Sequence, residues 1–183
     1  RLALNIESLS YDTFYDFACE RLDQICVENN ITTIDCDNFA YMLQKCEKLT
    51  DLKIDKLSTA AAESISNMFY GCVKLIDINL KGFNTSNVLN MSSLFNRCEA
   101  LVQVDVSGFD TRKVTNMSNM FYNCKQLAVL NIDNFVTDNV EDFSYMFNNC
   151  SSLSLLRVGH LKTDKAKSLQ AMFYGCTGLS ELN

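Results

Sequence analysis

A cysteine returns every 26 residues through most of the chain, at Cys46, Cys72, Cys98, Cys124, Cys150 and Cys176. Each closes the same apolar pattern, as in Val114, Met117, Met120, Phe121 and Cys124, followed by Leu127, Leu130 and Ile132. A fixed period of this length means stacked supersecondary units, none able to bury its apolar face alone. No Gly/Ser linker or charge run interrupts the period, so residues 31–183 read as one continuous solenoid.

Within a repeat, Leu101, Val104, Val106 and Phe109 follow the spacing L-x-x-L-x-L-x-x-F, repeated by Leu75, Ile78, Leu80, Phe83 and by Leu127, Leu130, Ile132, Phe135. The alternating V-D-V at 104–106 predicts a short strand with one buried face. A turn column comes next, Lys56, Gly82, Gly108, Asn134 and His160. Its Gly, Asn and His members predict a left-handed backbone there. After it stands an unbroken threonine column, Thr33, Thr59, Thr85, Thr111, Thr137 and Thr163. Each hydroxyl is expected to accept from an N–H two or three residues on and so fix its own corner.

Five residues later, Asn38, Ser64, Asn90, Asn116, Asp142 and Ser168 are all helix N-cap types. Met117, Met120, Phe121 and Cys124 then fall at i, i+3, i+4 and i+7, which predicts one face of a helix of about two turns. The column before each Cys (Lys45, Gly71, Arg97, Asn123, Asn149, Gly175) is the expected left-handed stop. The predicted fold is therefore α/β, with one short parallel strand and one short helix per repeat. Its coil is expected to be right-handed, as strand–helix–strand crossovers are.

The N-terminal stretch departs from the period. Ile31 to Cys46 fit the second half of a repeat, with Cys36, Phe39, Met42 and Leu43 in core columns. Upstream, Leu9, Phe14, Phe17, Ala18, Leu22 and Ile25 suggest an amphipathic helix over roughly Tyr11 to Gln24. Residues 1–30 are accordingly expected to form a helical cap over the open end of the array. At the other end Leu179 and Leu182 start a strand with no following rung, so the chain reads as an excised piece of a longer array. That open edge is expected to meet further chain or to self-associate end to end.

Nine cysteines raise the question of disulfides or metal. The six periodic ones, with Met120 and Phe121, read instead as core: Cys behaves as a small apolar residue when buried. Rungs about 4.8 Å apart bring successive thiols near, but parallel Cβ vectors suit a disulfide poorly. A reduced ladder is expected, and an odd total excludes complete internal pairing. There is no C-x-x-C, and the single His stands in another column, so no zinc site is expected. Calcium loops, Gly-rich phosphate loops, G-x-S-x-G and H-E-x-x-H are all missing. His160 reads as a turn residue rather than a base. The expectation is a non-enzyme with no catalytic residue, metal or cofactor. A net charge of −6 argues against nucleic-acid partners. No apolar run approaches the roughly 20 residues of a spanning helix, which argues against direct membrane insertion.

The run from Gly108 through Phe-Asp-Thr-Arg-Lys-Val-Thr-Asn-Met-Ser-Asn-Met-Phe-Tyr-Asn to Cys124, continuing to Leu127, resembles the repeat of BspA-like leucine-rich-repeat surface proteins. The resemblance covers about Ile31 to Asn183, and its most specific string is N-M-S-x-M-F-x-x-C. The repeats starting at Cys72 and Cys98 match best. The one starting at Cys150 departs, with Gly-His-Leu in place of Gly-Phe and Ala166 and Leu169 in place of Val and Met. Lys56 to Ser66 also departs, through the run Ala60-Ala61-Ala62. The resemblance implies a leucine-rich-repeat-like solenoid in a bacterial, sometimes protist, protein at the cell surface or secreted, often an adhesin or host-interaction factor. It carries over no catalytic residue.

Function is then expected on the surface. Outward strand positions are Asp51, Lys53, Asp77, Asn79, Gln103, Asp105, Val129, Asn131, Leu155 and Arg157, with polarity falling toward the C-terminal end. Tyr70, Tyr122 and Tyr174, in alternate repeats, form a second candidate, since exposed Tyr suits protein or glycan contacts. Partners would be a host or neighbouring-cell surface protein, or a glycan. Two rivals stand beside this reading: an intracellular scaffold or effector, which nine free thiols would suit, and a binding array appended to a larger enzyme.

Overall fold

The computed structural model describes residues 34–35, 37–47, 49, 57–80 and 82–182. The expected cap over residues 1–30, together with Thr33, Cys36, Asp51, Lys53 and Lys56, lies outside the described residues. Within them the chain winds as a solenoid of stacked rungs around one continuous core. Four two-residue strands are present: β1 (Ile34–Asp35), β2 (Leu57–Ser58), β3 (Leu155–Leu156) and β4 (Glu181–Leu182). β3 and β4 pair in parallel with Leu155 beside Glu181, 26 residues on. β1 pairs with β2 with Ile34 beside Leu57, three residues short of that spacing, in the rung that carries the alanine run. At the expected strand 104–106 no strand forms; on this face its rung meets the next at the isolated parallel bridge Gln103–Val129.

The longer ladder lies elsewhere. Parallel bridges link Asn38, Ser64, Asn90, Asn116, Asp142 and Ser168 in succession, the column whose residue types predicted helix caps. Their side chains do accept the N–H two residues on, Asn116 Oδ1 from Ser118 at 2.9 Å and Asp142 Oδ1 from Ser144 at 2.8 Å. The caps start no helix, however: none occurs among the described residues. The segment 117–124 is instead a run of tight turns. Met120, Tyr122 and Cys124 donate their N–H to the carbonyl three residues back. Met117, Asn119, Phe121 and Asn123 donate to Asp142, Ser144, Met146 and Asn148 of the next rung, at 2.8–2.9 Å. Ser118 uses the Asn116 side chain, so all eight N–H groups are satisfied.

These turns require left-handed residues at two places per rung. The expected stop column supplies one, with φ from +58° at Lys45 and Asn123 to +76° at Gly175. The other is Tyr41, Asn67, Ser93, Asn119, Tyr145 and Ala171, with φ between +50° and +65°. Positive φ at the third position of a four-residue turn defines type II geometry. A four-residue turn repeat puts Met117 with Phe121, and Met120 with Cys124, on the inner side. The apolar spacing is therefore the same as for a helix face, and all four side chains are fully buried.

Side chains reinforce the stacking. Phe69, Phe95, Phe121, Phe147 and Phe173 form one column, ring centroids 5.5–5.8 Å apart and planes within 14° of parallel. The threonine column also works between rungs rather than within its own corner. Thr111 Oγ1 donates to the Val136 carbonyl at 2.9 Å and accepts the Val136 N–H at 2.8 Å. Thr59, Thr85 and Thr137 do the same to Asn84, Asp110 and Lys162.

The cysteine ladder is corrected at one end. Cys72, Cys98, Cys124, Cys150 and Cys176 are free thiols, but Cys46 is disulfide-bonded. Each free thiol donates to the carbonyl of the Leu or Phe 29 residues earlier, as Cys124 does to Phe95 at 3.1 Å. Burial pushes the Cys72 thiol up to about 12 and those of Cys98, Cys124 and Cys150 well above their ordinary value.

This packing can be probed at a ring and at the thiols. Phe121→Ala removes a ring stacked on both sides and should cost about 3–5 kcal/mol. Hydrogen exchange should quicken in both neighbouring rungs, because each N–H ladder depends on the next; quickening confined to one rung would contradict it. The thiols fix the alkaline behaviour. Above the ordinary thiol value of 9.0 the unfolded chain sheds protons that the fold retains, for Cys72 to about 12. The unfolded state then binds fewer protons, so stability falls as pH rises through that window, by about 1.4 kcal/mol per pH unit for each such thiol. Denaturant titrations on both sides of that threshold should show the fall, and Cys124→Ala should reduce its slope by one thiol's share.

Candidate functional site

The outward strand positions and the turn column enclose a groove of about 810 Å³ across three rungs. Its floor is the outer edge of the core: Ile78, Leu80, Phe83, Val104 and Phe109, each 3–6% exposed where deeper residues reach zero. Phe83 and Phe109 stack beneath it with centroids 6.4 Å apart. The rim carries Asp77, Asn79, Gln103, Asp105, Val129 and Asn131. The alternation that buries Val104 and Val106 is what turns these side chains outward.

The groove opens where the turn column is glycine. A Cβ placed on Gly82 or Gly108 would meet nothing within 4 Å. In the next rung Asn134 occupies that column, and its Nδ2 reaches back to the Val106 and Phe109 carbonyls at 3.0 and 2.9 Å. One rung further, His160 Nε2 lies 3.0 Å from the Ile132 carbonyl. This corrects the expected left-handed column: of Gly82, Gly108, Asn134 and His160, only Gly82 has positive φ, at +102°. The larger members serve instead as polar clamps on the rung before.

Asp105 Oδ1 accepts from the Ser107 N–H at 2.9 Å. The Ser107 side chain and then its N–H hold the Asp105 carboxyl below the usual carboxylate range. Asp77 Oδ1 accepts from the Ile78 N–H at 2.8 Å. Asn131 Oδ1 takes the Asp133 N–H in the same way, at 2.8 Å. These short-range bonds fix the side chains on the rim.

Of the surface residues singled out from sequence, Asp105, Val129 and Asn131 lie together on this rim, with Val129 65% exposed. Leu155 and Arg157 lie outside it. Leu155 is 44% exposed in β3, and Arg157 pairs with Asp133 at 3.6 Å. Of the three tyrosines, Tyr70 and Tyr122 are half-buried, Tyr122 edge-on to Tyr145 at 6.3 Å, and Tyr174 is 71% exposed. Sequence reasoning placed Asp77, Asn79 and Gln103 outward but did not join them to Gly82 and Gly108. The available signal was the change from Gly to Asn and His along the turn column.

Gly108 has no positive φ and open space around it, so Gly108→Asn should shift stability by no more than about 0.5 kcal/mol, as surface changes usually do. Gly82→Asn, at φ +102°, should cost more, since L-residues are strained there. Urea unfolding midpoints of the two variants check the contrast.

The model of the family described as Mycoplasma protein of unknown function, DUF285, matches residues 37–155 and 102–182. Among solved structures, a T. pallidum leucine-rich-repeat protein is similar, at 22% identity and a TM-score of 0.50 over 79% of this chain. The chain spans 60% of the length of that structure. A TLR13–ssRNA13 complex is 17% identical with a TM-score of 0.44, covering 82% of this chain and 24% of that one. A leucine-rich-repeat protein from Bacteroides ovatus is 17% identical with a TM-score of 0.20, covering 83% and 64%. No curated protein matches the chain. The solenoid is thus of the leucine-rich-repeat type, and the chain belongs to the DUF285 family.

Proposed function

We propose that this chain is a non-catalytic protein-interaction module of a surface-exposed protein of the BspA-like kind, with the strand-face groove as its ligand surface. The observation that carries this reading is the groove itself. The scaffold beneath it is a run of near-identical rungs whose backbone groups are committed to each other. The rim side chains carry no part of the core, so they are free to vary with a ligand without cost to the fold. A volume of about 810 Å³ falls in the size range of sites that enclose part of a ligand.

The cell-surface placement is supported by the repeat string around Asn116 to Cys124 and its resemblance to adhesin repeats. The intracellular alternative drew on nine free thiols, and Cys46 is not one of them. Antibodies raised against residues 82–182 should label intact cells that make the full-length protein. Labelling only after permeabilisation would overturn the surface reading. The purified chain should also bind intact target cells in a saturable way, and failure to bind any cell or extracellular-matrix protein would overturn the adhesive role.

A further inference from the structure

We infer that the groove accepts an extended peptide segment bearing lysine or arginine at alternate positions, the aliphatic stems lying on the Phe83–Phe109 floor and the cationic heads at Asp77 and Asp105. This rests on the binding-module reading and names the chemistry of the partner. Charge selects a cation. Among the described residues lining the groove, the charged groups are Asp77 and Asp105, both carboxylates, and the other polar members are amides and Ser107. The whole chain is also acidic, with a net charge of −6. Complementary charge of this kind steers and orients a cationic partner.

Floor and rim together select the side chain. A long cationic residue presents an apolar stem and a charged head, and it buries the first while solvating or pairing the second. The groove offers apolar atoms below and carboxylates above, in the same order.

Spacing selects the alternate positions. Asp77 and Asp105 stand one rung and two residues apart. Rungs about 4.8 Å apart and a rise of about 3.3 Å per residue place their backbones about 8 Å apart along the diagonal. Alternate residues of an extended peptide are about 6.8 Å apart on one face. Flexible lysine stems close the remaining difference. Access depends on glycine, because the side chain that Asn134 lays over the Val106 and Phe109 carbonyls is missing at Gly108 and Gly82.

The test is fluorescence anisotropy with the full chain and a labelled peptide of alternating Gly and Lys. A matched Gly/Glu peptide and a single-stranded oligonucleotide serve as the opposing arms. The Lys peptide should bind, and Asp77→Asn with Asp105→Asn should weaken it at least about tenfold, roughly 1.4 kcal/mol. Gly108→Asn should weaken it as much while the charge is unchanged, and Gly108→Ser is the fallback if the Asn variant does not fold. Glu99→Gln and Asp138→Asn, carboxylates outside the groove, should leave binding as it was. Lys-peptide binding indifferent to Gly108→Asn would show diffuse charge attraction and overturn the proposal. So would no binding, or equal binding of the Glu peptide or the oligonucleotide. A chain that binds intact cells yet ignores the Lys peptide would sink this inference and leave the binding-module reading standing.

Discussion

Alternate N–H groups of each turn segment have no acceptor within their own rung. Met117, Asn119, Phe121 and Asn123 find theirs only in the rung after it. A buried backbone donor left unpaired costs about as much as a lost hydrogen bond, so a lone rung would carry several such penalties. Stacking removes them all together, which makes the array cooperative between neighbours. The side-chain ladders obey the same rule. Each buried Thr hydroxyl serves the next rung, and each free Cys thiol serves the one before.

This lateral bonding also explains how the fold tolerates its backbone. Among the described residues ten non-glycine positions hold positive φ, Tyr41 and Tyr145 included. Left-handed geometry costs an L-residue roughly 1–2 kcal/mol, least for Asn. Such residues persist only where their surroundings over-determine them. Here every one lies in a segment bonded to a neighbouring rung, and its turn also carries a buried Met, Leu or Phe. Burial of one such side chain, about 1.5–3 kcal/mol, outweighs the strain of one turn.

Much of this was legible in sequence, and the reasons for what was not are specific. The period, the apolar columns and the capping side chains of the Asn/Ser/Asp column followed from residue types alone, but the parallel ladder along that column did not. The helix did not survive, because Met117, Met120, Phe121 and Cys124 share one side in a run of type II turns as they would in a helix. Spacing cannot separate the two. The discriminating residues were Asn67, Ser93 and Asn119, poor helix formers that tolerate left-handed φ and stand where the second turn needs it. The cysteines were read as core and the threonines as corner residues, yet the partners of the two columns lie 29 and 25 residues away, which no local turn rule reaches. The candidate surface was read one strand at a time, so its outward polar residues were found and the groove between them was not.

The turn column shows how a uniform solenoid becomes a specific surface. Core columns must stay apolar and ladder columns must keep their hydrogen bonds, so neither can vary much from rung to rung. The position held by Gly82, Gly108, Asn134 and His160 belongs to neither set and varies from rung to rung. With glycine the face stays open above the phenylalanine stack. With Asn or His the side chain bends back onto the preceding rung's carbonyls and closes it. One residue per rung therefore sets where the groove ends, without disturbing the lateral bonds that hold the rungs together. The site belongs to the boundary between two kinds of rung, and that boundary lies between Gly108 and Asn134.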